Sequence, residues 1–106
     1  MANRRVVPFR LSTAKALARL RSIACDPANV AVTRHAEGRM IERGITSEQM
    51  LHCLRKGSLK GSPVVDEHDH WKFDVELYVA GDHLCFVVAV NPLEPHVLVI
   101  TAFWVS

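Results

Sequence analysis

The apolar residues change from a helical to an extended repeat near residue 57. Before that point, Leu17, Leu20 and Ala24 recur at the spacing of one helix face, and Asp26-Pro27 interrupts the pattern. A stretch of this kind predicts an amphipathic helix, whose apolar side must pack against another element. We therefore expect the first part of the chain to supply helices to a core that the second part completes.

Capping residues predict two further helices after a short extended piece at 30–32. A threonine hydroxyl can accept a bond from an N–H at a helix start, and glycine adopts the backbone conformation that often follows a helix. On this basis one helix is expected from about Arg34 to Arg43, and the next carries Met50 and Leu54 on its apolar side. The residues that bound these helices are Thr33 and Gly44, then Thr46 or Ser47 and Gly57.

Four strands are expected after residue 57. The segment 71–79 alternates apolar and polar residues, which is typical of a strand with one face in water. The almost wholly apolar run 84–90 predicts a central strand, and 97–105 predicts the last one. Residues 58–65 are expected at an edge, where a proline is tolerated. The chain is therefore predicted to be α+β, with N-terminal helices packed on one face of a small antiparallel sheet.

Length and composition are those of one globular domain. The 106 residues are 49% apolar and 23% charged, which suits one sizeable core. We expect a single domain over 1–106, mainly helical and basic at 1–57 and mainly antiparallel strands at 58–106. Three widely spaced cysteines favour reduced thiols. No secretory signal and no apolar run of the ~18 residues that span a bilayer is recognisable, so we expect a cytoplasmic protein without a membrane partner.

Charge is strongly segregated along the chain, although the net charge is only +2. Residues 1–25 contain six basic and no acidic side chains, whereas 63–106 contain one basic side chain, Lys72, and seven acidic ones. Positive potential on the helical part favours a polyanion such as nucleic acid. A solvated helix face, or a surface for an acidic protein, accounts for the same pattern. The basic residues expected to contact nucleic acid are Arg4, Arg5, Arg10, Lys15, Arg19, Arg34 and Arg43.

The second predicted helix holds the densest group of chemically useful side chains. His35, Arg39 and Arg43 are spaced four residues apart and would lie above one another, with Met40 and Ile41 directed toward the core. The helix dipole disfavours a cationic histidine in the first turn, so His35 would stay available as a general base. The arginines could bind phosphate oxygens. The alternative is an ordinary solvated face on which neighbouring glutamates balance the arginines.

A second cluster, Asp-Glu-His-Asp-His at 66–70, could hold a divalent metal. In extended backbone, Asp66, His68 and His70 would share one side. A complete site needs three or four ligands with supporting contacts, and acidic loops of this type are common without metal. We expect no metal and no other cofactor, and a metal-dependent enzyme using His68 and His70 is the least favoured alternative.

The chain resembles a bacterial family of domains of unknown function over about residues 30–103. The similarity rests on the run HAEGRMIERGI at 35–45, which fits the family pattern H-A-x-x-R-M-x-E-R-G-I, and on the closing VLVITAF at 97–103. An eleven-residue match is hard to meet by chance. It implies a fold more than an activity.

The chain also resembles MqsR-type toxins, small messenger-RNA interferases with a RelE-like fold. The opening at 10–17 is similar, Trp71 followed by Asp74-Val75 resembles a toxin segment, and Lys60 precedes them as a functional lysine does in that family. Two positions differ from the toxin sequences. Trp104 stands where the toxins have a functional lysine, and either His83 or Cys85 stands where they have a functional tyrosine. The match is carried by short pieces that occur in order along the chain.

The toxin resemblance implies an endoribonuclease that acts on messenger RNA without metal. The substrate 2′-hydroxyl attacks the adjacent phosphate, so the protein must supply a base, an acid and cations. His35 would be the base or acid, and Arg39, Lys60 and Lys72 would hold the phosphate. An acidic antitoxin protein is the implied partner, and exposed sheet edges would permit a homodimer. The alternative is a non-catalytic module of the same fold that binds an acidic protein or nucleic acid.

Overall fold

Three helices pack against a five-stranded sheet in the computed structural model, which describes residues 12–105. The predicted α+β class is therefore confirmed. Among the described residues, no helix combines the length and the apolar character that crossing a membrane requires. In chain order the elements are α1 (Thr13–Ala24), a 3₁₀ turn (Pro27–Asn29), β1 (Val30–Val32), α2 (Arg34–Arg43), α3 (Ser47–Lys56), β2 (Ser58–Val65), β3 (Trp71–Val79), β4 (Asp82–Val90) and β5 (Val97–Trp104).

The strands lie in the order β1-β5-β4-β3-β2, and the sheet is mixed. Neighbours from β2 to β5 are antiparallel, as predicted, whereas β1 pairs in parallel with β5. β2 forms the edge that its proline predicted, and its pairing with β3 is interrupted between Lys60 and Val64. The parallel β1 is thus the one difference from the predicted antiparallel sheet.

The capping residues bound the helices where the sequence predicted. The Thr33 side chain accepts a bond from the Ala36 N–H at the start of α2. Thr46 and Gln49 form a reciprocal capping box at the start of α3. Gly44 follows α2 with a φ of 67°, in the left-handed region that glycine adopts without strain. Local hydrogen bonding therefore sets the ends of both helices.

The core lies on the face of the sheet that the helices cover. Phe86 and Val88 of β4 belong to one buried cluster with Leu20 of α1 and Leu54 of α3. Because side chains alternate along a strand, their neighbours lie on the opposite face, which we call the open face. By register, the open face includes Ala31, Ser58, Lys60, Lys72, Asp74, Glu76, Tyr78, His83, Cys85, Val87, Ala89 and Leu98.

Helix α2 lies along the edge of β5 beyond β1. The Thr33 hydroxyl donates to the Ile100 carbonyl at 3.1 Å, and Arg43 Nη1 donates to the Ala102 carbonyl at 2.9 Å. In return, Trp104 Nε1 donates to the Arg43 carbonyl at 2.8 Å. These bonds occupy edge groups that could otherwise pair with another chain.

Candidate functional site

The predicted row His35, Arg39 and Arg43 lies on α2, and two of its members have partners within the protein. Arg39 pairs with Glu42 at 3.0 Å, and Arg43 binds the carbonyl of β5 described above. His35 is exposed in the first turn. Two of the three predicted phosphate-binding side chains are therefore already engaged by groups of the protein itself.

The predicted burial of Ile41 is wrong. Its side chain is 76% exposed, whereas the adjacent Met40 is buried. Helix α2 packs on a strand edge rather than on a sheet face, so it buries only a narrow stripe that contains Ala36 and Met40. Ile41 lies about 100° around the helix from Met40 and falls outside that stripe.

Several arginines of the helical part bind backbone carbonyl groups. Arg21 Nη2 donates to the Gly57 carbonyl at 2.9 Å, and Arg55 Nε donates to the Ala24 carbonyl at 2.7 Å. Both carbonyls lie at helix ends, where the last carbonyls lack helical partners and a cation is favoured. Arg19 binds the Asn91 carbonyl at 3.4 Å. Of the other predicted nucleic-acid contacts, Lys15 and Arg34 are exposed, and Arg4, Arg5 and Arg10 lie outside the described residues.

Replacement of Arg43 by methionine is expected to lower the free energy of unfolding by about 1 kcal/mol, because the Ala102 carbonyl loses its donor. Urea denaturation followed by circular dichroism measures this change. Arg34→Met, at an exposed position of the same helix, is the control and should change stability by less than about 0.5 kcal/mol. Equal stability of the two variants, with RNA binding weakened only by Arg43→Met, would instead assign Arg43 to the nucleic acid.

Lys60 and Lys72 lie on the open face, far from His35. Lys60 lies opposite Asp74 in the β2–β3 ladder, and Lys72 precedes Asp74 by two residues on the same face. Strands are about 4.8 Å apart, so β2 and β5 are separated by roughly 14 Å, and α2 lies beyond β5. The structure therefore brings the two lysines together and leaves His35 and Arg39 at the other edge of the sheet.

The open face brings together a histidine, a glutamate and a tyrosine that sequence analysis did not combine. His83 Nε2 lies 2.6 Å from Glu76 Oε1, and the Tyr78 ring stacks on the His83 ring with centroids 3.9 Å apart. The His83 and Glu76 side chains are only 17% and 26% exposed, so solvent weakens their interaction less than at a free surface. Since a carboxylate can only accept, Nε2 is assigned as the N–H donor of this contact, and in the neutral ring Nδ1 is then the proton acceptor.

This trio lines a groove of about 320 Å³ together with Lys56 and Ser58. Lys56 is the last residue of α3, and Gly57 then passes so close to β3 that a Cβ there would lie 2.6 Å from the Glu76 carbonyl oxygen. The close approach brings the lysine to the groove. An oriented imidazole, a phenol, an ammonium and a hydroxyl around one groove can act as a base, an acid and charge-stabilising donors.

Cys85 lies opposite Glu76 on the open face but is suited to packing rather than to nucleophilic attack. Burial raises the pKa of its thiol to about 11, the Asp74 carboxylate adds to this effect, and the Lys60 ammonium opposes it. Burial likewise raises the pKa of Cys53 to about 12. Both thiols are thus protonated near neutral pH, whereas nucleophilic cysteines need a thiolate.

The acidic cluster at 66–70 forms the turn between β2 and β3. Asp66 Oδ1 accepts the backbone N–H groups of His68 and His70 at 2.8 and 3.0 Å. Slight desolvation acts to raise the pKa of Asp66, but these two N–H groups, together with the charges of the His70 and His68 side chains, outweigh it, so the pKa lies below its usual value. In residues 12–105, no three side chains of the metal-binding types come together as a site that could hold an ion.

Comparison with known proteins gives a family and no activity. The family model described as Domain of unknown function (DUF4258) matches residues 32–104, which include α2, α3 and strands β2 to β5. No curated protein and no solved structure matches the chain. The matched region contains the Glu76–His83 pair and the groove beside it. Since the match covers more than half of the sequence, this chain belongs to the family DUF4258.

Proposed function

We propose that this domain is a metal-independent endoribonuclease with its active site on the open face, centred on His83 and Glu76. The observation that carries the proposal is the 2.6 Å contact between His83 Nε2 and Glu76 Oε1, which orients an imidazole that lines the same groove as Lys56. A carboxylate that contacts a histidine in this way fixes the orientation of the ring and sets its tautomer. A general base needs a fixed ring orientation and a ring nitrogen that is free to accept a proton.

The proposed reaction uses the 2′-hydroxyl of the RNA as nucleophile. His83 Nδ1 removes the 2′-hydroxyl proton, the oxygen attacks phosphorus, and the bond from phosphorus to the 5′-oxygen breaks. The Tyr78 hydroxyl donates a proton to that leaving oxygen, and the Lys56 ammonium stabilises charge on the phosphate oxygens. The products are a 2′,3′-cyclic phosphate and a 5′-hydroxyl, so atoms and charge balance without a metal ion.

The remaining predicted residues extend this site. Lys60 and Lys72 would contact phosphates of the bound strand along the open face. Messenger RNA as substrate, and an acidic antitoxin as partner, follow from the toxin resemblance. His35 and Arg39, which the sequence predicts as catalytic, lie at the opposite edge of the sheet from the groove; in this proposal they contact flanking RNA instead.

The test is cleavage of a 5′-labelled single-stranded RNA in the presence of EDTA. We expect cleavage products that carry a 2′,3′-cyclic phosphate, measured by mass spectrometry, and no cut where a 2′-deoxynucleotide precedes the scissile bond. A His83→Ala protein purified in parallel controls for contaminating nuclease. A requirement for added metal, cleavage at the deoxynucleotide, or equal activity in the control would overturn the proposal.

The second candidate is a non-catalytic module that binds a partner through the same face. It is favoured by the position of Lys60 directly opposite Asp74, which reduces the positive charge available for phosphate. This alternative predicts no growth arrest when the gene is expressed alone, and co-purification of one defined partner protein. Growth arrest that the His83→Ala substitution relieves would exclude it.

A further inference from the structure

A second depression of about 300 Å³ lies at the opposite end of the open face from His83. Its floor is a row of side chains that are neighbours across three strands: Ala31 of β1, Leu98 of β5 and Ala89 of β4. The next residue in the same row is Lys72 of β3, directly opposite Ala89. The floor is therefore apolar, with a cation at one side.

Small side chains create this depression. Ala31 and Ala89 flank Leu98, whereas the position one step along the face on β4 holds the larger Val87. His70, Asn91, His96 and Asn29 line the depression around this floor. The result is an apolar platform with polar groups around it, the usual construction of a small-molecule or base-binding pocket.

Two amides around the depression are held in fixed orientations by their own hydrogen bonds. Asn91 Oδ1 accepts the backbone N–H groups of Leu93 and Glu94 at 2.8 and 2.9 Å, so its NH₂ group remains as a donor. Asn29 Nδ2 donates to the Ile23 carbonyl at 3.2 Å, so its oxygen remains as an acceptor. One oriented donor and one oriented acceptor suit the edge of a nucleobase, and planar imidazoles suit its faces.

The depression and the groove lie on the same face of the sheet and share strand β4. Ala89 and His83 are six residues apart on β4, which places them about 20 Å apart along the strand. Lys60 and Lys72 project from the same face on the neighbouring strands. A single extended strand of RNA could therefore occupy the groove and the depression at once.

We infer that the depression formed by Ala31, Ala89 and Leu98 binds one unpaired nucleobase of an RNA strand, and that Lys72 contacts the adjoining phosphate. The inference rests on the proposed function in taking RNA as the ligand. It goes beyond that function by assigning a base-binding subsite remote from the reacting phosphate. The geometry makes the subsite selective for a strand that presents both a base and a phosphate.

The experiment measures binding of a fluorescent 2′-O-methyl RNA hexanucleotide, which the proposed reaction cannot cleave, by anisotropy in EDTA. Ala89→Leu fills the depression and is expected to weaken binding about tenfold, the loss of one base contact. Val87→Leu is the matched control, since it enlarges a side chain on the same strand and face outside the depression. His96→Ala, at a mostly exposed rim position, should weaken binding in the same direction without touching the core.

Two further ligands identify what the depression recognises. A sugar-phosphate hexamer without bases should bind Ala89→Leu and wild type equally, because it has nothing to place in the depression. A nucleoside monophosphate should compete with the labelled RNA only at concentrations far above those at which the hexanucleotide binds. Equal binding of RNA by Ala89→Leu, Val87→Leu and wild type would overturn the inference, as would a monophosphate that binds as tightly as the hexamer.

The outcome separates this inference from the proposed function. Cleavage of RNA by the wild type, together with unchanged binding in Ala89→Leu, would overturn the subsite and leave the nuclease in place. The opposite result is RNA binding that depends on the bases and is weakened only by Ala89→Leu and His96→Ala, with no cleavage by the wild type. That result would establish the subsite and exclude the nuclease. Thermal melting of both variants confirms that each is folded.

Discussion

Replacement of His83 by alanine is expected to lower the rate of RNA cleavage by about 10²–10⁴-fold, the usual contribution of a general base. The loss should appear in the rate of the chemical step and leave RNA affinity nearly unchanged, because the lysines proposed to bind phosphate are untouched. Single-turnover cleavage with excess protein measures that step directly. Glu76→Gln is expected to lose less, since the amide oxygen can still accept the Nε2 N–H but carries no charge to stabilise the imidazolium.

The controls are two other histidines of the chain. His68 is 73% exposed in the turn after β2, and its replacement by alanine should leave the rate unchanged. His35→Ala tests the residue that the helix motif implicates. Loss of activity in His35→Ala with full activity in His83→Ala would move the active site from the open face to α2.

The Glu76–His83 contact could have been found from the sequence by writing out one hairpin. A turn at Gly81 pairs Tyr78 with His83, and the register then places Glu76 diagonally across from His83 on the same face. Glu76 and His83 are seven residues apart and belong to no continuous motif, so the linear sequence does not single them out as a pair. The approach of Lys56 was beyond such reasoning, because it depends on where α3 ends relative to β3.

The element order and the helix caps were predictable because both depend on local interactions. The parallel pairing of β1 with β5 is not local, since the paired residues Val30 and Val97 lie 67 positions apart in sequence, and a three-residue strand carries no signal of its partner. Which side chains of α2 are buried also depends on contacts that are distant in sequence. Periodicity identified a helix, but the width of its buried stripe depends on whether it meets a sheet face or a sheet edge.

The charge segregation has a structural component that the sequence could not reveal. Basic side chains of the helical part hold the ends of α1 and α3 through Arg55 and Arg21, and Arg43 binds the edge of β5. A guanidinium donating to a carbonyl keeps its charge, so these residues still contribute positive potential. The carbonyls they bind nevertheless hold these arginines in place, so part of the basic charge stabilises the fold.

Replacement of Gly57 by alanine is expected to lower the free energy of unfolding by about 3 kcal/mol, at the upper end of the range for overpacking. A Cβ there would lie 2.6 Å from the carbonyl oxygens of both Cys53 and Glu76, a distance that backbone atoms do not tolerate. Either the end of α3 or β3 must therefore move. Since β3 carries Glu76 and the end of α3 carries Lys56, the shift should also reduce cleavage. Urea denaturation measures the first effect and single-turnover cleavage the second.

Gly38→Ala is the matched control, with an effect of the opposite sign. Gly38 lies within α2, and a Cβ there would meet no heavy atom within 4 Å. Alanine in a helix interior is favoured over glycine, so the variant should be stabilised by about 0.5–1 kcal/mol. A Gly57→Ala protein as stable as the wild type would show that α3 and β3 are not in close contact at Gly57, and the placement of Lys56 in the groove would fall with that contact.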